Sequence, residues 1–293
     1  MQTYYGFTER LNLKDVDTPY AFKKQFVVYS NEDNYPRKSA VDAFLRRTGS
    51  PAALPHYVLI SRTTQPYTLA KDFVPSARAN FHRFMRLLRV IKPNSAFVRV
   101  EAFHTGSTFG SATRYGVGEI PIFLLESSNQ AEILQTDLDL LNEVMNRIAR
   151  LKFDQAHRIN NFYGYLEHCI TGETNHRIIW MFIALESLFH LWDERRDTKP
   201  IAKRAAYFLE PTDAVQRKKT YDLLLDAAKQ RGTLVHGGVV RNQEIKDMLI
   251  KLEPVMWGIG KLLLTGDKKR IKLFSSLDPK LANYFKRAEN QPF

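Results

Sequence analysis

The sequence has almost no cysteine. Cys169 is the only one among 293 residues, so no internal disulfide can form, and single-cysteine usage favours a cytosolic setting. It falls beside Tyr165, Leu166 and Ile170 in a predicted helix and reads as a small core residue rather than a nucleophile. Long apolar runs are also missing. The most apolar stretch, Ile178 to Trp192, is short and carries Glu186 and His190, so no membrane span is expected. No basic-then-apolar pattern opens the chain, so no secretory signal is expected either. The histidines are scattered, and no two sit four apart on one helix. His176 and His190 are in phase but about 21 Å apart along an ideal helix, so no metal site is expected. There is no phosphate-cradling glycine loop of the Walker type and no Gly-x-Ser-x-Gly elbow. Gly106-Ser107-Thr108-Phe109-Gly110 is too loose to serve as a nucleotide loop.

Positive charge is abundant. The formal net charge is +12. Residues 1–128 carry 17 Lys/Arg against 10 Asp/Glu, and residues 129–293 carry 26 against 21. Both halves are therefore basic. Such a balance fits a polyanionic partner, nucleic acid first and a membrane surface second. Hydrophobic content of 44% and charged content of 25% are ordinary for a soluble globular chain.

The pattern along the chain changes once. Residues 1–128 read as mixed α/β. Phe26–Tyr29, Tyr57–Ile60, Phe97–Val100 and Ile120–Leu124 are short β-branched and aromatic runs bounded by turn residues. Helices are predicted over 39–47 and, with Phe81, Phe84, Met85, Leu88 and Ile91 at helical spacing, over 76–91. Thr105 to Gly118 reads as a long loop or hairpin tip. After Ser127-Ser128-Asn129-Gln130 helical periodicity takes over, with helices predicted near 131–151, 153–171, 174–193, 198–209, 213–236, 243–265 and 277–289. The fold class is thus α+β: a mixed domain over 1–128, then an all-α domain over 129–293. The last residues, Asn290 to Phe293, are expected to fray.

One stretch organises the chemistry: Arg231-Gly232-Thr233-Leu234-Val235-His236-Gly237-Gly238. The two glycines read as a helix stop, which puts His236 in the last turn. The negative end of the helix dipole there favours a cation. An arginine with a histidine suits a phosphate substrate. The guanidinium binds two oxygens at once, and the imidazole can accept or donate a proton near neutrality. Glu186 lies on or beside the apolar face of Ile178, Ile179, Phe182, Leu185 and Phe189, where a carboxylate needs a partner. Arg231 is the predicted partner. The plain structural alternative is an arginine that only holds Glu186 and a histidine that only caps carbonyls. Five residues turn an ideal helix by about 140°, so Arg231 and His236 need a second copy, or a loosened last turn, to converge.

These residues carry a resemblance. An Ala-Leu-Glu-Ser-Leu-Phe helix (Ala184 to Phe189), followed by Arg-x4-His-Gly-Gly (Arg231 to Gly238), resembles the Apea-like branch of the HEPN superfamily over roughly 130–265. The resemblance implies a helical bundle that dimerises and a metal-independent endoribonuclease without cofactor. In it, arginine and histidine from two protomers line an RNA cleft, and the 2′-hydroxyl of RNA attacks the adjacent phosphate. It further implies a prokaryotic setting in phage defence or toxin-like growth arrest. By position Arg231 and His236 take the motif roles. Many members carry Asn, Asp or His after the arginine, where this chain has Gly232. The alternative is a non-catalytic RNA- or protein-binding module. Residues 1–128 are expected to sense or position a partner.

Three basic clusters are further candidates for RNA contact, each with a solvated face as the plain alternative. Arg78, His82, Arg86 and Arg89 form one stripe on the 76–91 helix. Lys268, Lys269 and Arg270 form a second, and Arg195, Arg196, Lys199, Lys203 and Arg204 a third.

Overall fold

The computed structural model describes residues 2–22, 25–36, 38–47, 57–63, 73–105, 108–114, 131–148, 153–191, 197–266, 273–274 and 279–293. Its class is α+β, and it divides into two compact units. The first unit spans 1–121 with 127–146, and the second 122–126 with 147–293. Composition changes at 127–130, but the compact division falls within a later helix, near residue 146.

The first unit is built on β1 (Gln2–Glu9), a strand the sequence reading did not identify. It pairs antiparallel with β5 (Tyr57–Thr63) on one side and β6 (Phe97–Thr105) on the other. With β3 (Tyr20–Phe22), β4 (Phe26–Ser30) and β7 (Thr108–Arg114) the sheet order is β3-β4-β5-β1-β6-β7. β7 forms a hairpin with β6, so 108–114 is a strand inside the stretch read as a long loop or hairpin tip. A short parallel pair joins β2 (Leu13–Lys14) to β8 (Ile133–Leu134), which opens α3 (Gln135–Ile148). The predicted strand at 120–124 lies outside the described residues.

Both faces of this sheet are covered. On one, Tyr5, Phe7, Val58, Ile60 and Ala102 pack with Val41 and Leu45 of α1 (Lys38–Arg47). On the other, Phe22 and Phe26 meet Phe81 and Phe84 of α2 (Phe73–Ile91) edge to face, at 5.1 to 5.4 Å between ring centroids. Each such buried ring contributes about 1.5–3 kcal/mol relative to exposure. Gly6 allows the close approach, since a Cβ there would come within 2.8 Å of Phe81 Cδ2. α3 is tied to the same unit: Tyr20 Oη donates to Asp139 Oδ1 at 2.7 Å, and Lys92 meets Asp137 at 3.4 Å. Burial, and then that carboxylate, push the Tyr20 phenol up to about 12.

The described secondary structure of the second unit is all helix: α4 (Phe153–Thr171), α5 (Thr174–Phe189), α6 (Thr198–Leu209), α7 (Ala214–Val235), α8 (Asn242–Thr265) and α9 (Pro279–Asn290). α5 is the hub and packs on α4, α6, α7 and α8. Ile178, Met181, Phe182, Ala184, Leu185, Leu188 and Phe189 are all buried, spread round more of the helix than a one-sided stripe would be, as a helix with several neighbours requires. Tyr163 Oη donates to Gly260 O at 2.8 Å and links α4 to α8. Cys169 is buried, and burial pushes its thiol up, which fits its place in the core. Among the described residues no helix is long and apolar enough to cross a membrane.

Arginines close the helix ends of this unit. The last carbonyls of a helix lack intrahelical donors. Arg177 donates to Gly172 O and Ile170 O at the end of α4, and Arg158 to Leu188 O and His190 O at the end of α5. Arg217 donates to Glu210 O and Pro211 O after α6, at 3.0 Å each. Arg204, only 1% exposed, donates to Phe189 O at 2.8 Å, pairs with Glu289 and stands over the Phe285 ring at 4.6 Å.

Candidate functional site

α7 carries the site. Asp213 caps its start, accepting from Gln216 N at 2.9 Å. Leu224 and Ala227 are buried, and the polar side of the helix faces water. Its end is a Schellman stop, in which one residue turns left-handed and two later N–H groups cover the last carbonyls. Gly237 takes that residue at φ 78°. Gly237 N donates to Leu234 O at 3.3 Å, and Gly238 N to Thr233 O at 2.8 Å. A left-handed alanine costs roughly 1–2 kcal/mol. Gly237→Ala is therefore expected to lower the unfolding free energy by about 1 kcal/mol, with a smaller loss for Gly237→Asn. Urea unfolding measures both. An alanine variant as stable as the wild type would contradict this stop.

His236 is the residue at that stop and is exposed. Its backbone N–H donates to Gly232 O at 3.1 Å, so α7 stays α-helical to its end and the last turn is not loosened. Arg231 and His236 are therefore about 140° apart around the axis and roughly 7.5 Å apart along it. Within one copy they do not face a common point.

Arg231 turns toward α5. Its Nη1 lies 2.9 Å from Glu186 Oε1, and its guanidinium stands 5.5 Å from the centre of the Phe182 ring. The two charged side chains are 26% and 24% exposed. At such a half-wet position the ion pair contributes on the order of 1 kcal/mol, well short of the Coulomb energy of a dry pair. Arg231 Nε is buried and has no hydrogen-bond partner. The guanidinium is thus fixed in place, backed by an aromatic face, with one donor unused.

The basic stripe on α2 does not stay whole. Arg78 Nε donates to Glu101 Oε2 at 2.9 Å and to Tyr4 Oη at 3.1 Å, and His82 Nε2 lies 3.6 Å from Glu101 Oε1. Glu101 is 1% exposed, so the Arg78 guanidinium offsets a buried carboxylate and His82 lies beside it. Arg89 is only 4% exposed and donates to Ala96 O through Nε and Nη2, so it is a structural residue and cannot reach a phosphate backbone in this position. Arg86 is part-buried, and its Nε is without a partner. Lys268, Lys269, Arg270, Arg195 and Arg196 lie outside the described residues. Of the remaining cluster, Lys199 is exposed, whereas Arg204 is buried and Lys203 reaches Glu289 O. Among the described residues no group of histidine, cysteine and carboxylates could hold a metal ion.

Sequence reasoning missed the structural arginines. A signal for two of them exists: Arg177 follows the Gly172 break by five residues, and Arg217 follows Pro211 by six. Both are early in the next helix, where a long side chain can fold back on the preceding end. No family model matches the chain, and no curated protein or solved structure does.

Proposed function

We propose that the chain is a metal-independent endoribonuclease of the HEPN type, in which Arg231 and His236 from two copies line one RNA cleft. The observation that carries this reading is the end of α7: a guanidinium fixed by Glu186 and Phe182, followed one and a half turns later by an exposed histidine at a glycine stop. In the reaction the 2′-hydroxyl oxygen bonds to the adjacent phosphorus as the bond to the 5′-oxygen breaks. His236 of one copy takes the hydroxyl proton, and an imidazolium returns one to the leaving oxygen. Arg231 holds the non-bridging oxygens as charge builds on them. The products are a 2′,3′-cyclic phosphate and a 5′-hydroxyl. The setting is the prokaryotic cytosol, with phage defence or growth arrest as the role, and residues 1–128 sense or position the RNA.

The test uses purified protein and single-stranded RNA in EDTA. Cleavage leaving cyclic phosphate ends is expected, with specific activity falling on dilution as the dimer separates. Cleavage only with an added divalent cation, or constant specific activity in a monomer, contradicts the reading.

A second reading is favoured by the ion pair itself. Glu186 already neutralises Arg231, and Gly232 adds no polar side chain beside it. A non-catalytic RNA-binding module would then bind RNA in a salt-sensitive way and leave it intact.

A further inference from the structure

The last residues of the chain do not fray; they lie against α6 and α7. Arg217 Nη2 donates to Pro292 O at 2.7 Å. The Phe293 ring lies 4.7 Å from the Tyr221 ring, tilted by 33°. Lys203 Nζ stands 5.2 Å and Lys218 Nζ 5.6 Å from the centre of the Phe293 ring. Lys218 also lies 5.8 Å from the Tyr221 ring. The seat is shallow, because Phe293 remains 41% exposed.

This shelf places a flat ring on a tyrosine between two ammonium groups, with a guanidinium on the oxygen of the preceding residue. A stacked base makes the same demands. Single-stranded nucleic acid is held by aromatic faces for its bases and by cations for its phosphates, without regard to sequence. A backbone carbonyl is a weaker acceptor for Arg217 than a phosphate oxygen, whose hydrogen bonds are charge-assisted. We propose that the shelf formed by Tyr221, Lys203, Lys218 and Arg217 is a base-stacking site for single-stranded RNA, and that residues 291–293 occupy it in competition with RNA.

The shelf and His236 share one side of α7. Lys218 and His236 are eighteen residues apart, which is five full turns, and Tyr221 is about 60° and Lys229 about 20° from the line joining them. A strand lying on His236 and following this side meets Tyr221 roughly 22 Å away. Lys218 pairs with Asp222, and Lys229 with Asp226 at 3.0 Å, but all four side chains are about half exposed or more. Such pairs are weak, so the lysines can turn to phosphates. The choice of RNA as ligand rests on the ribonuclease reading.

Fluorescence anisotropy with a short labelled oligoadenylate at low salt tests the shelf. The full chain carries His236→Ala throughout, so that binding is read without turnover. Phe293→Ala is expected to tighten binding several-fold. Tyr221→Ala is expected to weaken it about 5- to 150-fold. Lys218→Ala, at an exposed position outside the core, is expected to weaken it and to reduce the salt slope by about one; it decides the matter if Tyr221→Ala does not fold. Affinity unchanged or weakened by Phe293→Ala, or indifferent to Lys218→Ala, overturns the shelf. The expected pattern, beside a chain with His236 intact that cuts no RNA, keeps the shelf and removes the ribonuclease. Cleavage by the chain with His236 intact, beside affinity indifferent to Phe293 and Lys218, does the reverse.

Discussion

Alanine at His236 is expected to lower the rate of RNA cleavage about 10²- to 10⁴-fold, the usual loss for a general acid–base group, with almost no change in stability. The asymmetry follows from where the residue sits. Its ring is exposed, and its contribution to the helix stop is made by the backbone, which alanine keeps. Arg231 is different. Its removal leaves Glu186 half-buried without its ion pair and uncovers Phe182, so activity and stability fall together. Arg231→Lys keeps the charge and loses the planar fork that grips two oxygens. The His236 variant is therefore the cleaner probe, read as kcat on labelled RNA beside a thermal melt.

Alanine at Arg204 is expected to cost about 3–5 kcal/mol, the loss typical of breaking a buried ion pair. Arg204 is 1% exposed, and its guanidinium serves three groups at once: Phe189 O, the Glu289 carboxylate and the Phe285 ring. Alanine leaves the end of α5 without that donor and opens a space between α6 and α9. Glu289, at 34% exposure, can reach water and recover part of the loss, which favours the lower end of the range. Urea unfolding followed by circular dichroism measures the effect, with Lys199→Ala, on the exposed side of the same helix, as a near-neutral reference. A loss at Arg204 no larger than at Lys199 would contradict the structural role.

The contrast between these arginines shows what residue patterns carry. Spacing gives the angle of a side chain around its helix, not what lies opposite. Arg78, His82, Arg86 and Arg89 do fall in one row, yet the helix packs on a sheet that presents Glu101 and leaves Ala96 O to be satisfied. Arg204 reads as one more surface cation until α9 is folded over it. Glu186 was legible for the opposite reason. A carboxylate on an apolar face needs a partner, Arg231 is the predicted one, and the two lie 2.9 Å apart.

Helices of the second unit are legible because glycine and proline punctuate them: α4 ends before Gly172, α6 before Pro211 and α7 before Gly237. The central strand of the first unit had no such signal. β1 is buried on both faces, so its sequence, Gln-Thr-Tyr-Tyr-Gly-Phe-Thr-Glu, shows no alternation. Its partners lie some fifty and a hundred residues away, beyond any local window. The division near 146 was hidden likewise. α3 is helical in pattern, but Asp137 and Asp139 bind Lys92 and Tyr20, which places it with the sheet.

The most direct measurement compares wild type and His236→Ala on end-labelled single-stranded RNA in EDTA, at a concentration where the wild type is dimeric. Cleavage by the wild type to cyclic phosphate ends, with loss in the variant at unchanged melting temperature, is the predicted result. Equal cleavage by both proteins, or intact RNA with both, would contradict a ribonuclease site at Arg231 and His236.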